Sequence, residues 1–195
     1  MARSREEDRG EPAGQRLFVA IDNGVTATIG AVSEDGEWSF FRKVPTYSER
    51  EYMSTKVRYM THVDQGLLRA LLQELAKVGP LVVVTERPLV NPRLFKATMS
   101  GVRAHEILLA TLRELGIELY ATLDSKRWQK PVLGECEKGT TKPRSEEVGA
   151  ELYPEHAKAI RDHGDADGLL MARWLRERVL GGNEGTPAKG NLENE

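Results

Sequence analysis

The run Leu81-Val82-Val83-Val84-Thr85 constrains this chain more than any other stretch. Strand-forming residues in unbroken succession, with no polar alternation, predict a strand covered on both faces. Such a strand needs helices on each side of its sheet. The residues before it supply one. Leu67, Leu68, Leu71, Leu72 and Leu75 recur at helical spacing, which predicts a helix over Val63–Val78, ended by Gly79-Pro80. The residues after it supply another. Pro92–Leu115 reads as a long helix ended by Gly116, and Ile117–Ala121 as a short strand. A strand–helix–strand unit of this kind implies a parallel pair with a right-handed crossover.

Three further strands are expected upstream. Leu17–Asp22 is the first, Thr26–Ser33 follows the Asn23-Gly24 turn, and Trp38–Val44 follows the Glu34-Asp35-Gly36 turn. Short turns between apolar runs signal antiparallel hairpins. Pro45–Arg58, with Tyr47 and Tyr52, shows no period and reads as a linker. Downstream, Asp124 caps a short helix carrying Trp128, and 131–141 forms a polar loop. Ser145–Tyr153 and Gly164–Leu180 are expected helices. The predicted order is β-β-β-α-β-α-β-α-α-α. This is an α/β class with a mixed five-stranded sheet, three strands antiparallel and the rest parallel, and it resembles the ribonuclease H-like architecture. Fold alone does not supply function.

Charged runs at 1–15 and Gly, Asn and Glu at 181–195 are expected to be a disordered arm and tail around one domain at 16–180. A chain of 195 residues suits one domain with a proper core. Cys136 is the single cysteine, which excludes an internal disulfide and a cysteine-rich zinc site. No apolar stretch reaches membrane-spanning length, and the amino terminus lacks an apolar signal region. No membrane association and a cytoplasmic, intracellular location are the expectations. Net charge is −2, yet residues 87–144 hold eleven Lys/Arg against six acids, a local excess of +5. A basic middle suits a phosphate backbone, although a solvated surface gives the same tally.

Three acids stand where these elements end or begin: Asp22 after Leu17–Ile21, Glu86 after Leu81–Thr85, and Asp167 in His163-Gly164-Asp165-Ala166-Asp167-Gly168. Singly, each has an ordinary explanation. Asp22 suits a turn before Asn-Gly, and Asp167 suits a first helical turn. Glu86, between Val-Val-Val-Thr and Arg-Pro, is poorly explained by strand propensity. Together they suggest a shared site. Clustered carboxylates repel and need a cation, and oxygen-only ligands suit Mg²⁺ or Mn²⁺.

Four stretches resemble the RuvC-like Holliday junction resolvases, the phage and prophage type above all. Phe18–Gly30 (FVAIDNGVTATIG) is similar to that family's opening strand, Asp, Gly and second strand. Val84–Pro88 (VTERP) is similar to its strand ending in Glu. Thr122–Lys130 (TLDSKRWQK) resembles its Thr-Pro-x-x-Trp-Lys segment, and His163–Ala172 (HGDADGLLMA) its Ala-Asp-Ala-Leu helix start. The resemblance spans about Phe18 to Leu175. It implies a homodimeric endonuclease that cuts branched DNA at four-way junctions, with two Mg²⁺ or Mn²⁺ ions per site held by Asp22, Glu86 and Asp167.

The family's fourth ligand comes from one turn before the last Asp, and here Gly164 fills that place. His163, four residues back, would share Asp167's face on a continuous helix and is favoured as a ligand or proton shuttle. Asp165 is the other candidate ligand, although two residues back it would point nearly opposite. Asp162 would reach the site only if the helix starts late. Expected DNA-backbone contacts are Lys126, Lys130, Lys142 and Arg144 after the last strand, and Arg93, Lys96 and Arg103 after Glu86. Leu89 and Val90 lie where an apolar wedge could unstack bases. Val102, Ile107, Leu108 and Leu112 offer a dimer surface or core packing.

Two rival classes remain. Asp22–Thr28 also resembles the phosphate loop of sugar kinases, so a nucleotide-binding protein is one. A non-catalytic junction-binding scaffold is the other. Within the nuclease class, RNA or branched replication intermediates are alternative substrates.

Overall fold

The computed structural model describes residues 14–51 and 57–182. Residues 1–13, 183–195 and Tyr52 lie outside the described residues. Gly14 and Gln15, expected in the arm, are tied to the fold: the Gly14 amide donates to the Val78 carbonyl at 3.0 Å and Gln15 Nε2 to Asp35 at 2.7 Å.

Among the described residues, seven strands and six α-helices follow in order: β1 Leu17–Ile21, β2 Thr28–Ser33, β3 Ser39–Lys43, β4 Thr46–Arg50, β5 Tyr59–Val63, α1 Gln65–Val78, β6 Leu81–Glu86, α2 Phe95–Glu114, β7 Leu119–Leu123, α3 Ser125–Leu133, α4 Thr141–Leu152, α5 Ala157–His163 and α6 Asp167–Leu180. The main sheet has five strands in the order β3-β2-β1-β6-β7. Strands β3, β2 and β1 run antiparallel, while β1, β6 and β7 run parallel. That strand order and polarity is the ribonuclease H-like arrangement.

The alternation of side chains across β1 divides the core into two layers. Leu17, Val19 and Ile21, with Ile29, Ala31 and Val83, face α1 and α2 through Leu68, Leu72, Leu108 and Leu112. Phe18 and Ala20, with Val32 and Val84, face α3 to α6 through Trp128, Ile160, Leu169 and Leu170. Both faces of β1 and β6 are thus covered, as unbroken apolar strands require. Leu108 and Leu112 are buried here, so they belong to the core and not to a dimer surface.

α6 approaches the sheet unusually closely. A Cβ at Gly168 would lie 2.7 Å from the Thr28 carbonyl oxygen, and one at Gly30 would overlap the Leu169 backbone. The two glycines let the start of α6 rest directly on β2. Gly168→Ala is therefore expected to cost at least about 2 kcal/mol, because neither backbone can yield without shifting the helix. Urea unfolding of the variant beside the wild type checks this.

Several boundaries differ from those expected. The linker at Pro45–Arg58 contains β4, which pairs with β5 as a separate antiparallel hairpin. Its residues Thr46-Tyr47-Ser48-Glu49-Arg50 are mostly exposed and show no apolar alternation, so no strand pattern was visible. Val63 ends β5, and α1 starts after Asp64, whose side chain accepts the Leu67 amide. α3 continues through Pro131 to Leu133, and α4 starts at Thr141. Most consequential is the unexpected α5. Gly164 closes it in the left-handed conformation, φ 91°, so α6 begins at Asp167 and not at Gly164.

Candidate functional site

The parallel register aligns Ile21 with Thr85, so the next residues, Asp22 and Glu86, leave adjacent strands side by side. The Asp22 amide donates to the Thr28 carbonyl at 3.0 Å, and Asp22 Oδ1 accepts the Asn23 amide at 2.7 Å. The Gly168 amide donates to Thr28 Oγ1 at 2.9 Å, which fixes the start of α6 over the same sheet edge. Asp167 is the first residue of that helix. Ser145, buried on α4, donates to Asp167 Oδ1 at 2.5 Å and accepts the Ala166 amide at 3.1 Å.

Asp165 joins these three. It lies in the turn between α5 and α6 and is 1% exposed, with Lys142 Nζ 3.1 Å from its Oδ2. Its Oδ1 accepts the Asp167 amide at 3.4 Å. A continuous helix would have turned Asp165 away, but Gly164 breaks the helix and the turn carries it inward. The same break removes the reasoning for His163. That residue ends α5 and cannot share a helix face with Asp167; its Nε2 sits 3.6 Å from Asp165 Oδ2. Asp162 faces solvent and pairs with Lys158 at 2.9 Å.

The charges in this cluster are under strain. Burial pushes the Asp22 carboxyl well above the ordinary range, reinforced by a hydrogen bond with Glu86 and repulsion from Glu86 and Asp165. Two carboxyls this close repel each other when both are charged. Glu86 is also raised, mainly by burial; the Trp128 indole and Ser125 hydroxyl act in the opposite direction. Burial carries Asp167 up to about 7, against the Ser145 hydrogen bond. Burial disfavours the Lys142 charge, but Asp165 more than compensates and its pKa rises.

Among the described residues, no three carboxylate or imidazole side chains already stand around a common point that could hold a metal ion. The donor set nevertheless fits a hard divalent cation. It offers only carboxylate oxygens, and Glu86 Oε1 is buried with no hydrogen-bond partner among the described residues. A cation would relieve the repulsion among these carboxylates.

This arrangement has a measurable consequence. A carboxyl raised in the fold favours folding at low pH, and that advantage fades as pH rises through the folded value. Moving from 3.8 to about 7, Asp167 alone accounts for on the order of 4 kcal/mol across that interval, as an upper limit. Without divalent cations the protein is expected to lose stability between about pH 4 and pH 7. Adding Mg²⁺ or Mn²⁺ should raise the melting temperature more at pH 8 than at pH 5. Thermal scans at both pH values check it.

No protein-family model matches the chain. No curated protein matches it either. Among solved structures it is similar to T. thermophilus RuvC in complex with Holliday junction substrate. Identity is 12%, the TM-score is 0.46, and the match covers 84% of this chain and 95% of that one.

The basic residues expected to meet DNA divide into groups. Lys126 and Glu86 line one open cleft of about 970 Å³, together with Arg87, Leu89 and Arg127. Lys130 pairs with Glu135 at 3.1 Å and Arg144 with Glu147 at 2.6 Å, both on the surface. Lys142 is drawn to Asp165 as described. Lys96 and Arg103 line a separate cavity under the β4–β5 hairpin, and Arg93 lies exposed on the 3₁₀ turn before α2. Leu89 and Val90 are 80% and 66% exposed, so no core contact accounts for them.

Sequence reasoning missed Ser145, whose role depends on how α4 docks against the α5–α6 turn. It also missed Trp128 as a neighbour of Glu86, toward which its indole acts; by hydrogen-bond geometry, Nε1 and Glu86 Oε1 are both buried without a partner among the described residues. Among the described residues, no helix is long and apolar enough to cross a membrane.

Proposed function

We propose that this chain is a metal-dependent endonuclease acting on branched DNA, four-way junctions above all. The observation that carries the reading is the convergence of Asp22, Glu86, Asp165 and Asp167 at one sheet edge, with Glu86 Oε1 lacking a hydrogen-bond partner among the described residues and a basic cleft beside it. In this reading two Mg²⁺ or Mn²⁺ ions are held by those four side chains. When bound, such a pair activates the attacking water and stabilises the leaving oxygen of a phosphodiester.

The chain's own residues then have distinct tasks. Asp22 and Glu86, fixed by adjacent strands, set the spacing of the site. Ser145 holds the orientation of Asp167 by its hydrogen bond. Lys142 reaches in from an exposed position and brings positive charge to the edge where a phosphate must approach. Lys126, Arg87 and Arg127 neutralise the backbone along the cleft. Leu89 and Val90, exposed at its rim, are suited to wedge into a branch point. A four-way junction presents two equivalent strands for cutting, so we take the working unit to be a homodimer.

The phosphate-loop alternative at Asp22–Thr28 is disfavoured. Thr28 is fully buried and its hydroxyl already accepts the Gly168 amide. Calorimetric titration with Mn²⁺ tests the proposal without relying on turnover. Wild-type protein should bind the ion, and Glu86→Gln should weaken that affinity at least about 10-fold, as loss of a ligand exceeds loss of a supporting contact. Equal affinity in both proteins would sink the assignment.

A further inference from the structure

Beyond the carboxylate site, a cavity of about 660 Å³ between the β4–β5 hairpin and the start of α2 is left without a role. It is connected to the site by shared walls. The cleft at Glu86 shares Asn23 and Leu89 with a smaller cavity of about 270 Å³. That cavity in turn shares Val25 and Ser100 with the one under the hairpin. The three hollows therefore lie next to one another, from Glu86 past the Asn23–Thr26 turn to the hairpin.

The cavity under the hairpin has a definite chemistry. Phe95 and Tyr59 line it and are 68% and 67% exposed, a cost in water unless a flat apolar ligand covers them. Arg58 and Arg103 also line it and make no ion pair among the described residues. Among the described residues its one acid is Glu51, which is engaged by Lys96 at 3.3 Å. The remaining charge is positive. His62 adds a second mark of a ligand: its Nε2 is buried without a hydrogen-bond partner among the described residues.

Aromatic faces between arginines are the means by which proteins hold unpaired nucleotides, bases stacking while the cations follow the backbone. We propose that the cavity under the β4–β5 hairpin binds an unpaired stretch of the DNA strand whose phosphodiester lies at the carboxylates. The proposal rests on the nuclease reading for which strand is bound, but not for the binding itself. A second copy of the chain would match the apolar area, but it would not account for two arginines that make no ion pair among the described residues.

The probe is a labelled oligo(dT) of about eight nucleotides, within the usual span of such sites. Full-length protein without divalent metal is titrated by fluorescence anisotropy. Binding is expected, weakened about 10-fold by Phe95→Ala and by Tyr59→Ala, in line with the worth of one stacked base. Arg103→Gln should lower the slope of log affinity against log salt by about one. Both aromatic side chains are largely exposed, so the variants should fold. A 5-iodouracil in the oligonucleotide should crosslink to Tyr59 or Phe95.

No oligo(dT) binding, or binding unchanged in both aromatic variants, overturns the proposal. So does a Phe95→Ala variant that shifts from dimer to monomer in sedimentation while binding oligo(dT) like the wild type, since the cavity is then a protein interface. Junction cleavage is read separately. If oligo(dT) binding holds and cleavage is absent, the nuclease reading fails and the cavity assignment stands. If cleavage holds and the aromatic variants bind like the wild type, the reverse is true.

Discussion

Asp22→Asn is expected to abolish cleavage of a four-way junction, by at least about 10³-fold, while leaving junction binding intact. The magnitude follows from the several kcal/mol that metal chemistry supplies, at about 1.4 kcal/mol for each factor of ten. The substitution keeps the shape of the side chain and the bond from the Asn23 amide. It removes a charge that burial already disfavours. The variant should therefore be no less stable than the wild type in metal-free buffer at pH 8. A loss of cutting with an unchanged melting temperature and unchanged junction affinity, read by gel shift, is the expected pattern. A variant that cuts at wild-type rate would remove Asp22 from the site.

The second large effect separates the two candidates for the fourth ligand. Asp165→Asn is expected to lower cleavage by at least about 10²-fold and to weaken Mn²⁺ binding. Asn can still accept the Asp167 amide that Asp165 Oδ1 accepts. His163→Gln, by contrast, should change cleavage only a few-fold, because His163 belongs to α5 and meets the cluster through Asp165. Single-turnover rates on one junction, with both variants side by side, decide it. A drop for His163→Gln that equals or exceeds that of Asp165→Asn would restore the histidine as ligand or proton shuttle.

The central fold was legible because it rests on strong local patterns. The unbroken run at Leu81–Thr85 demanded cover on both faces, and the leucine spacing before it supplied a helix. The ends of those strands placed Asp22 and Glu86 together without any knowledge of side-chain packing. Asp165 was legible only as the less favoured of two candidates for a fourth ligand, for one physical reason. Gly164 was counted within a helix, whereas it closes α5 in a left-handed turn and reverses which side Asp165 faces. Periodicity cannot report a break that a single glycine makes. Ser145 was invisible for a different reason: a lone serine on a polar helix carries no signal until α4 docks beside Asp167. The β4–β5 hairpin was missed because its side chains stay exposed, so burial never imposed an alternating pattern.

The most direct test of a metal-dependent junction nuclease is a single cleavage assay with Mg²⁺ or Mn²⁺. Purified protein is given a mobile four-way junction beside linear duplex, a replication fork and an RNA–DNA hybrid, with Asp22→Asn and a chelator as controls. Symmetric cuts in the four-way junction are expected, with the linear duplex left intact and no product in either control. Cutting that persists in Asp22→Asn or with chelator present, or no cutting of any branched substrate with either cation, would contradict the account.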